Sequence, residues 1–119
     1  MIGMRQAVTA STKKIEQFEI YWVNLDPTLG SEIQKTRPCI VVSPSEMNTA
    51  LKTVMVMPLT STIIDWPFRT LINIAGKNSS AACDQLRTIS KERLVNKIGS
   101  ITHAEKNKVI EILQAIFSE

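Results

Sequence analysis

"GSEIQKTRPCIVVSP", residues 30–44, joins two kinds of chemistry in one short stretch. Cys39, Ile40, Val41 and Val42 form an apolar run that reads as a buried strand, bounded by Pro38 and Pro44. Directly before it stand Glu32, Lys35 and Arg37, on a segment opened by Gly30. Pro38 biases the residue before it toward extended backbone. The Arg37 guanidinium is therefore mounted where a polar loop enters a core strand.

Working outward, "FEIYWVNLDP" (18–27) is aromatic and β-branched and ends at a proline turn, so it reads as a strand. "SEMNTAL" (45–51) reads as one helical turn with Ser45 as its cap. "TVMVMPL" (53–59) is a third strand, with Val54 and Val56 in the core beside Val41 and Val42; Pro58 implies that it ends there or lies at an edge. "STIIDWP" (61–67) reads as a loop. "FRTLINI" (68–74) alternates, with Phe68, Ile72 and Ile74 on one face, and "AGKNSSAA" (75–82) reads as a turn or loop. "DQLRTI" (84–89) and "NKIGSI" (96–101) read as strands, joined by a turn at "SKERL" (90–94) that Ser90 can cap. "THAE" (102–105) is a capping box, Thr102 at the N-cap and Glu105 at N3. Val109, Ile110, Leu113, Ile116 and Phe117 then recur at helical spacing. Short strands followed by one terminal amphipathic helix predict an α+β, mainly β, fold: a small, strongly curved antiparallel sheet with a helix packed on it. No Gly-rich phosphate loop follows any strand.

The 119 residues predict one domain, and 44% apolar with 21% charged residues argue against wholesale disorder. Residues 1–14, "MIGMRQAVTASTKK", carry no continuous apolar stretch and read as a mobile, weakly basic tail before a single domain at 15–119. No apolar run approaches the length of a membrane helix. A net charge of +3 permits a polyanionic partner without demanding one. Cys39 and Cys83 have neither metal nor redox spacing and read as buried free thiols in a reducing cytoplasm. The one histidine, His103, falls in the first turn of the last helix and reads as a solvated residue. Zinc, a carboxylate-held magnesium and a Cys nucleophile are all disfavoured, so neither metal nor cofactor is expected. What remains is polar residues where strands meet loops: Glu32, Lys35 and Arg37; Thr60 and Ser61; Asp84, Gln85 and Arg87.

Four blocks carry a resemblance, in order: "FEIYWVNLDPTLGSE", "KTRPCIVVSP", "VMVMPLTS" and "CDQLRTISKERLVNKIGSI". Over roughly residues 18–117 the chain resembles the MazF/PemK family of endoribonuclease toxins from bacterial toxin–antitoxin pairs. The resemblance implies an SH3-like or plasmid-toxin barrel with a C-terminal helix, forming a homodimer. It implies metal-independent cutting of single-stranded RNA to a 2′,3′-cyclic phosphate and a 5′-hydroxyl. It also implies a cognate antitoxin partner, with DNA bound only through that antitoxin. The family's catalytic arginine falls on Arg37, its catalytic threonine on Thr60 and its "GSE" acid on Glu32. Some members use an arginine and an aspartate around the "CDQ" segment and a histidine in the loop before the acid. Here the aspartate is Asp84, but those arginine and histidine positions hold Ala82 and Ser31. The version resting on Arg37 and Thr60 is intact.

That version is physically coherent. Attack of a ribose 2′-oxygen on phosphorus makes a phosphorane, and a guanidinium offers two fixed donors to its oxygens. A threonine hydroxyl adds a neutral donor. Arginine holds its proton, with a pKa above about 12, so Arg37 is expected to stabilise the phosphorane and donate to the leaving 5′-oxygen; Glu32 and Asp84 are the candidates for the base. Substrate contacts are expected from Ser31 and Ser61, from Asp84 and Gln85 at a base edge, and from Lys35 and Arg87, with Arg69 less favoured, at phosphates. Trp66 has two readings: it stacks on a base or grips an antitoxin, or it plugs its loop onto the core. Trp22 reads as core or dimer interface. The competing functional reading is a non-catalytic barrel that binds RNA, or an antitoxin in a DNA-bound co-repressor. Arg37 with Thr60 discriminates against it, because a binding module needs neither. An SH3-type peptide binder would want an exposed aromatic cluster, which 5% aromatics barely supply.

Overall fold

The computed structural model describes residues 14–33 and 35–119; the tail expected at 1–14 lies outside them except for Lys14. The described residues form seven strands and two α-helices: β1 (Glu19–Asn24), β2 (Thr36–Val41), α1 (Ser45–Ala50), β3 (Thr53–Thr60), β4 (Arg69–Ile74), β5 (Lys77–Ala82), β6 (Arg87–Ser90), β7 (Leu94–Ser100) and α2 (His103–Phe117). The expected mainly-β sheet with one C-terminal helix is what the structure has. The antiparallel strands run β4-β5-β3-β2-β1-β7, with β6 also on β3.

Both faces of the sheet are buried, which is why β2 and β3 read as apolar runs rather than alternating ones. One face carries Tyr21, Val23, Cys39, Val41, Val54, Val56 and Ile89, and the curl of the sheet closes over them with Ile15 and Leu25. The other carries Ile20, Ile40, Met57, Leu59, Ile72 and Ala81, and α2 covers it with Val109 and Ile112. Phe68, Val42 and Ile74 pack against this second cluster from partly buried positions. Within α2 the apolar stripe bends away from its sequence reading. Ile112 is buried, while Ile116 and Phe117 at the end are 43% and 73% exposed.

The capping box forms as read: Glu105 N–H donates to the Thr102 hydroxyl at 3.2 Å, and Thr102 N–H donates to Glu105 Oε1 at 2.8 Å. Glu105 Oε2 also accepts the N–H of Asn73 at 2.8 Å, so the cap fastens α2 to β4. Ser90 caps its turn as expected, accepting from Glu92 N–H.

Five expectations are corrected. Residues 77–82 are a strand, β5, paired with β4 along its whole length. The connection is Ala75-Gly76 with φ of 51° and 83°, a two-residue turn with both φ positive that matches strand twist. Ser80, Ala81 and Ala82 are buried; close packing selected small residues there over strong β-formers. Pro58 neither ends β3 nor marks an edge, because β3 is central. Pro58 falls between the stretch paired with β6, through Val56, and that paired with β5, from Leu59, where the lost N–H breaks neither ladder. Ser45 does not cap α1, whose N-cap is Pro44 without a side-chain bond; the Ser45 hydroxyl accepts from Gln17 N–H instead. "DQLRTI" becomes strand only at Arg87, since Cys83–Gln85 is a 3₁₀ turn. Trp22 is 39% exposed and so is not a core residue.

Candidate functional site

Strand register assembles the polar rim. Cys39 pairs with Pro58 and Val41 with Val56. Extended two residues, that register sets Arg37 opposite Thr60, and the period of two keeps both on the face of Cys39. Val56 pairs in turn with Arg87 across β6, and Thr60 with Ser80 across β5. Arg37, Thr60 and Arg87 therefore border one end of the first core cluster. The thiol of Cys39 feels both guanidiniums: burial pushes it up to about 12, against the pull of Arg87 and Arg37. Burial likewise pushes Cys83 up to about 11. Both cysteines are buried free thiols, unsuited to nucleophilic work. The Thr60 hydroxyl accepts the N–H of Thr62 at 3.2 Å, an arrangement that leaves its own O–H to donate.

Beside this rim lies an open cleft of about 490 Å³, lined by Ser31 and Glu32 from the β1–β2 loop and by Asp84, Gln85, Leu86 and Arg87. The two walls are stapled. Gln85 Oε1 accepts the N–H of Ile33 at 2.9 Å. Glu32 closes its own turn, accepting Leu29 N–H at 2.8 Å while its N–H donates to the Leu29 carbonyl. At the loop base Lys35, with φ of 72°, donates its N–H to Asp26 Oδ1 at 2.8 Å. Arg93 Nη1 donates to the carbonyls of Asn24, at 3.0 Å, and Asp26. Sequence reasoning missed Leu86, whose neighbours carry the only polar signal.

Asp84 is gripped from β4. Arg69 Nε donates to Oδ1 at 2.7 Å and Nη2 to Oδ2 at 3.1 Å. Burial raises the Asp84 carboxyl, but the Arg69 hydrogen bonds, a backbone N–H and the Arg69 charge together bring it below the usual aspartate value. With both oxygens engaged and its proton affinity lowered, Asp84 is disfavoured as a base. Arg69 is likewise no phosphate ligand, since its side chain is 8% exposed and its guanidinium lies 5.0 Å from the Trp66 ring centroid. Trp66 leans on Phe68 at 5.2 Å and is 42% exposed, so it anchors its loop and still meets solvent.

The structure thus gathers Ser31, Glu32, Asp84, Gln85 and Arg87 in one cleft, with Arg37 and Thr60 on the adjoining rim. Lys35 and Ser61 are exposed, and neither they nor Trp66 line the cleft. Among the described residues no three His, Cys, Asp or Glu side chains are grouped to hold a metal ion.

A family model described as the PemK-like, MazF-like toxin of type II toxin–antitoxin systems matches residues 16–117. The chain belongs to the PemK/MazF toxin family. Among similar family members, Endoribonuclease MazF9 of Mycobacterium tuberculosis is 36% identical over 106 residues, 81% of this chain and 90% of its own length. Endoribonuclease PemK of Escherichia coli is 30% identical over 121 residues, 97% of this chain and 91% of its own. The fold is also that of MazF from Deinococcus radiodurans, with a TM-score of 0.79 at 21% identity, covering 87% of this chain and 96% of that one. A mycobacterial endoribonuclease in complex with its cognate antitoxin matches at a TM-score of 0.73 and 20% identity, covering 85% and 92%.

Proposed function

We propose that this PemK/MazF-family chain is a sequence-specific endoribonuclease toxin, cutting single-stranded mRNA without a metal and inhibited by a cognate antitoxin. The observation that carries the reading is the β2–β3 register, Cys39 opposite Pro58, which continued two residues sets Arg37 across from Thr60. Relatives named endoribonucleases match 81% and 97% of this chain, which supports it.

Glu32 takes the proton of the ribose 2′-hydroxyl. The 2′-oxygen forms a bond to phosphorus, and the phosphorane oxygens are held by the Arg37 guanidinium and the Thr60 hydroxyl. The bond from phosphorus to the 5′-oxygen then breaks. The departing alkoxide is basic enough to draw a proton from the arginine; solvent then returns a proton to Arg37 and takes the one held by Glu32. The products are a 2′,3′-cyclic phosphate and a 5′-hydroxyl. Removing one such preorganised donor costs about 2.7–4 kcal/mol in the transition state. Arg87 and Lys35 hold flanking phosphates. Ser31, Ser61, Gln85 and the Asp84 edge read unpaired bases, and Trp66 offers a partly exposed ring for stacking.

The chain acts as a homodimer in the cytoplasm, where its thiols stay reduced, and it meets DNA only through the antitoxin. Among the described residues no helix is long and apolar enough to cross a membrane. The test is digestion of a long RNA in EDTA, with cut sites mapped by primer extension and end groups identified. Cuts at one short sequence with cyclic-phosphate ends are expected; strict metal dependence would contradict the reading.

A further inference from the structure

Arg69 does not line the cleft, yet its bonds reach one wall directly, at Asp84, and the other at one remove. On its own side, its N–H donates to the carbonyl of Trp66 at 3.1 Å, and its guanidinium packs on the Trp66 ring. On the other, it takes both oxygens of Asp84, the middle residue of the Cys83–Gln85 turn. The next residue, Gln85, accepts the N–H of Ile33, and Glu32 immediately precedes Ile33 in the chain. A chain of directed contacts thus runs from Trp66 through Arg69, Asp84 and Gln85 to the β1–β2 loop. Arg69 is itself fixed, because β4 pairs it with Ala82, one residue before the turn. Its partners use the flat face and the two-pronged edge that a guanidinium has and an ammonium lacks.

We infer that Arg69 is a positioning residue of this cleft: through Asp84 it holds the Cys83–Gln85 turn, and through Gln85 it holds the loop that presents Ser31 and Glu32. The consequence for RNA rests on the proposed nuclease function; the mechanical link does not. Loosening the turn widens the cleft and misplaces its base readers and Glu32, while Arg37 and Thr60, on β2 and β3, keep their places. The effect falls on KM and sequence preference through the base readers, and on kcat through Glu32, which moves with the loop.

The experiment uses the full chain as wild type, Arg69→Met and Arg69→Lys, with amide hydrogen exchange read by NMR and cleavage kinetics on an RNA carrying the mapped site. In Arg69→Met the Ile33 amide is expected to exchange about tenfold faster while Ile40 and Val56 stay protected, as local opening requires. KM rises about tenfold as ground-state positioning is lost, and kcat falls by about threefold or more as Glu32 is displaced with the loop. Arg69→Lys, which keeps charge and stem without the two-pronged grip, moves both readouts the same way by at least about threefold. If the methionine variant does not fold, the lysine variant alone decides. An Ile33 exchange rate equal to wild type in a folded variant, or an unchanged KM, overturns the inference. The exchange measurement needs no RNA, so wild-type protein that cuts nothing would remove the nuclease reading and leave the mechanical link standing on its own result.

Discussion

Arg37 on β2 and Thr60 on β3 lie two residues beyond the Cys39–Pro58 pair, and the register continued to them sets the two across from one another on one face of the sheet. A guanidinium and a hydroxyl on neighbouring strands can bind one phosphoryl group from two directions. Thr60→Ala removes one neutral donor. It is expected to lower kcat by about 10²–10³-fold with the fold retained, read in single-turnover cleavage beside a thermal melt. A loss below about threefold would take Thr60 out of the chemistry.

The Arg69 grip makes Asp84 titrate low. The folded value lies below the ordinary 3.8. A depressed carboxyl contributes stability that is present above the unfolded value and is lost as pH falls through the folded one. NMR titration of the Asp84 carboxyl should therefore place its midpoint below 3.8, and Arg69→Met should move it upward. A wild-type midpoint at or above the ordinary value would show the pair to be open in solution.

The thiols should be silent while the protein is folded. With Cys39 pushed up to about 12 and Cys83 up to about 11, almost no thiolate exists at pH 8. Neither is expected to react with a disulfide reagent until denaturant is added, when both react. Rapid native labelling at one site would mean that the site opens.

The β4–β5 turn depends on Gly76. Its φ is 83°, and an added Cβ would meet nothing within 4 Å, so the cost of Gly76→Ala is conformational alone. We expect a loss of about 1–2 kcal/mol in urea unfolding. Thr102→Ala, which removes half of the capping box, is expected to cost about 1 kcal/mol. A neutral result for the glycine variant would mean that this turn relaxes without strain.

What the sequence made legible was local. The capping box at Thr102 and Glu105 and the cap at Ser90 each need only neighbours along the chain, and both formed as read. β5 was illegible because "KNSSAA" has no β-propensity of its own. Hairpin pairing with β4 and the need for small buried side chains make it a strand. Pro58 misled because a proline's effect depends on which side of a strand is paired at that residue, a tertiary fact. The Arg69–Asp84 pair joins residues on separate elements and becomes visible only once β4 is known to lie beside β5. The roles of Arg37 and Thr60 followed from family resemblance; their register relation followed only from the sheet.

The most direct test of the account is cleavage by Arg37→Ala. RNA carrying the mapped site is incubated in EDTA with folded variant and wild type, and RNA binding is measured in parallel. The account predicts that cleavage falls by at least about 10²-fold while binding changes little. Near-normal cleavage by a folded Arg37→Ala protein would contradict it.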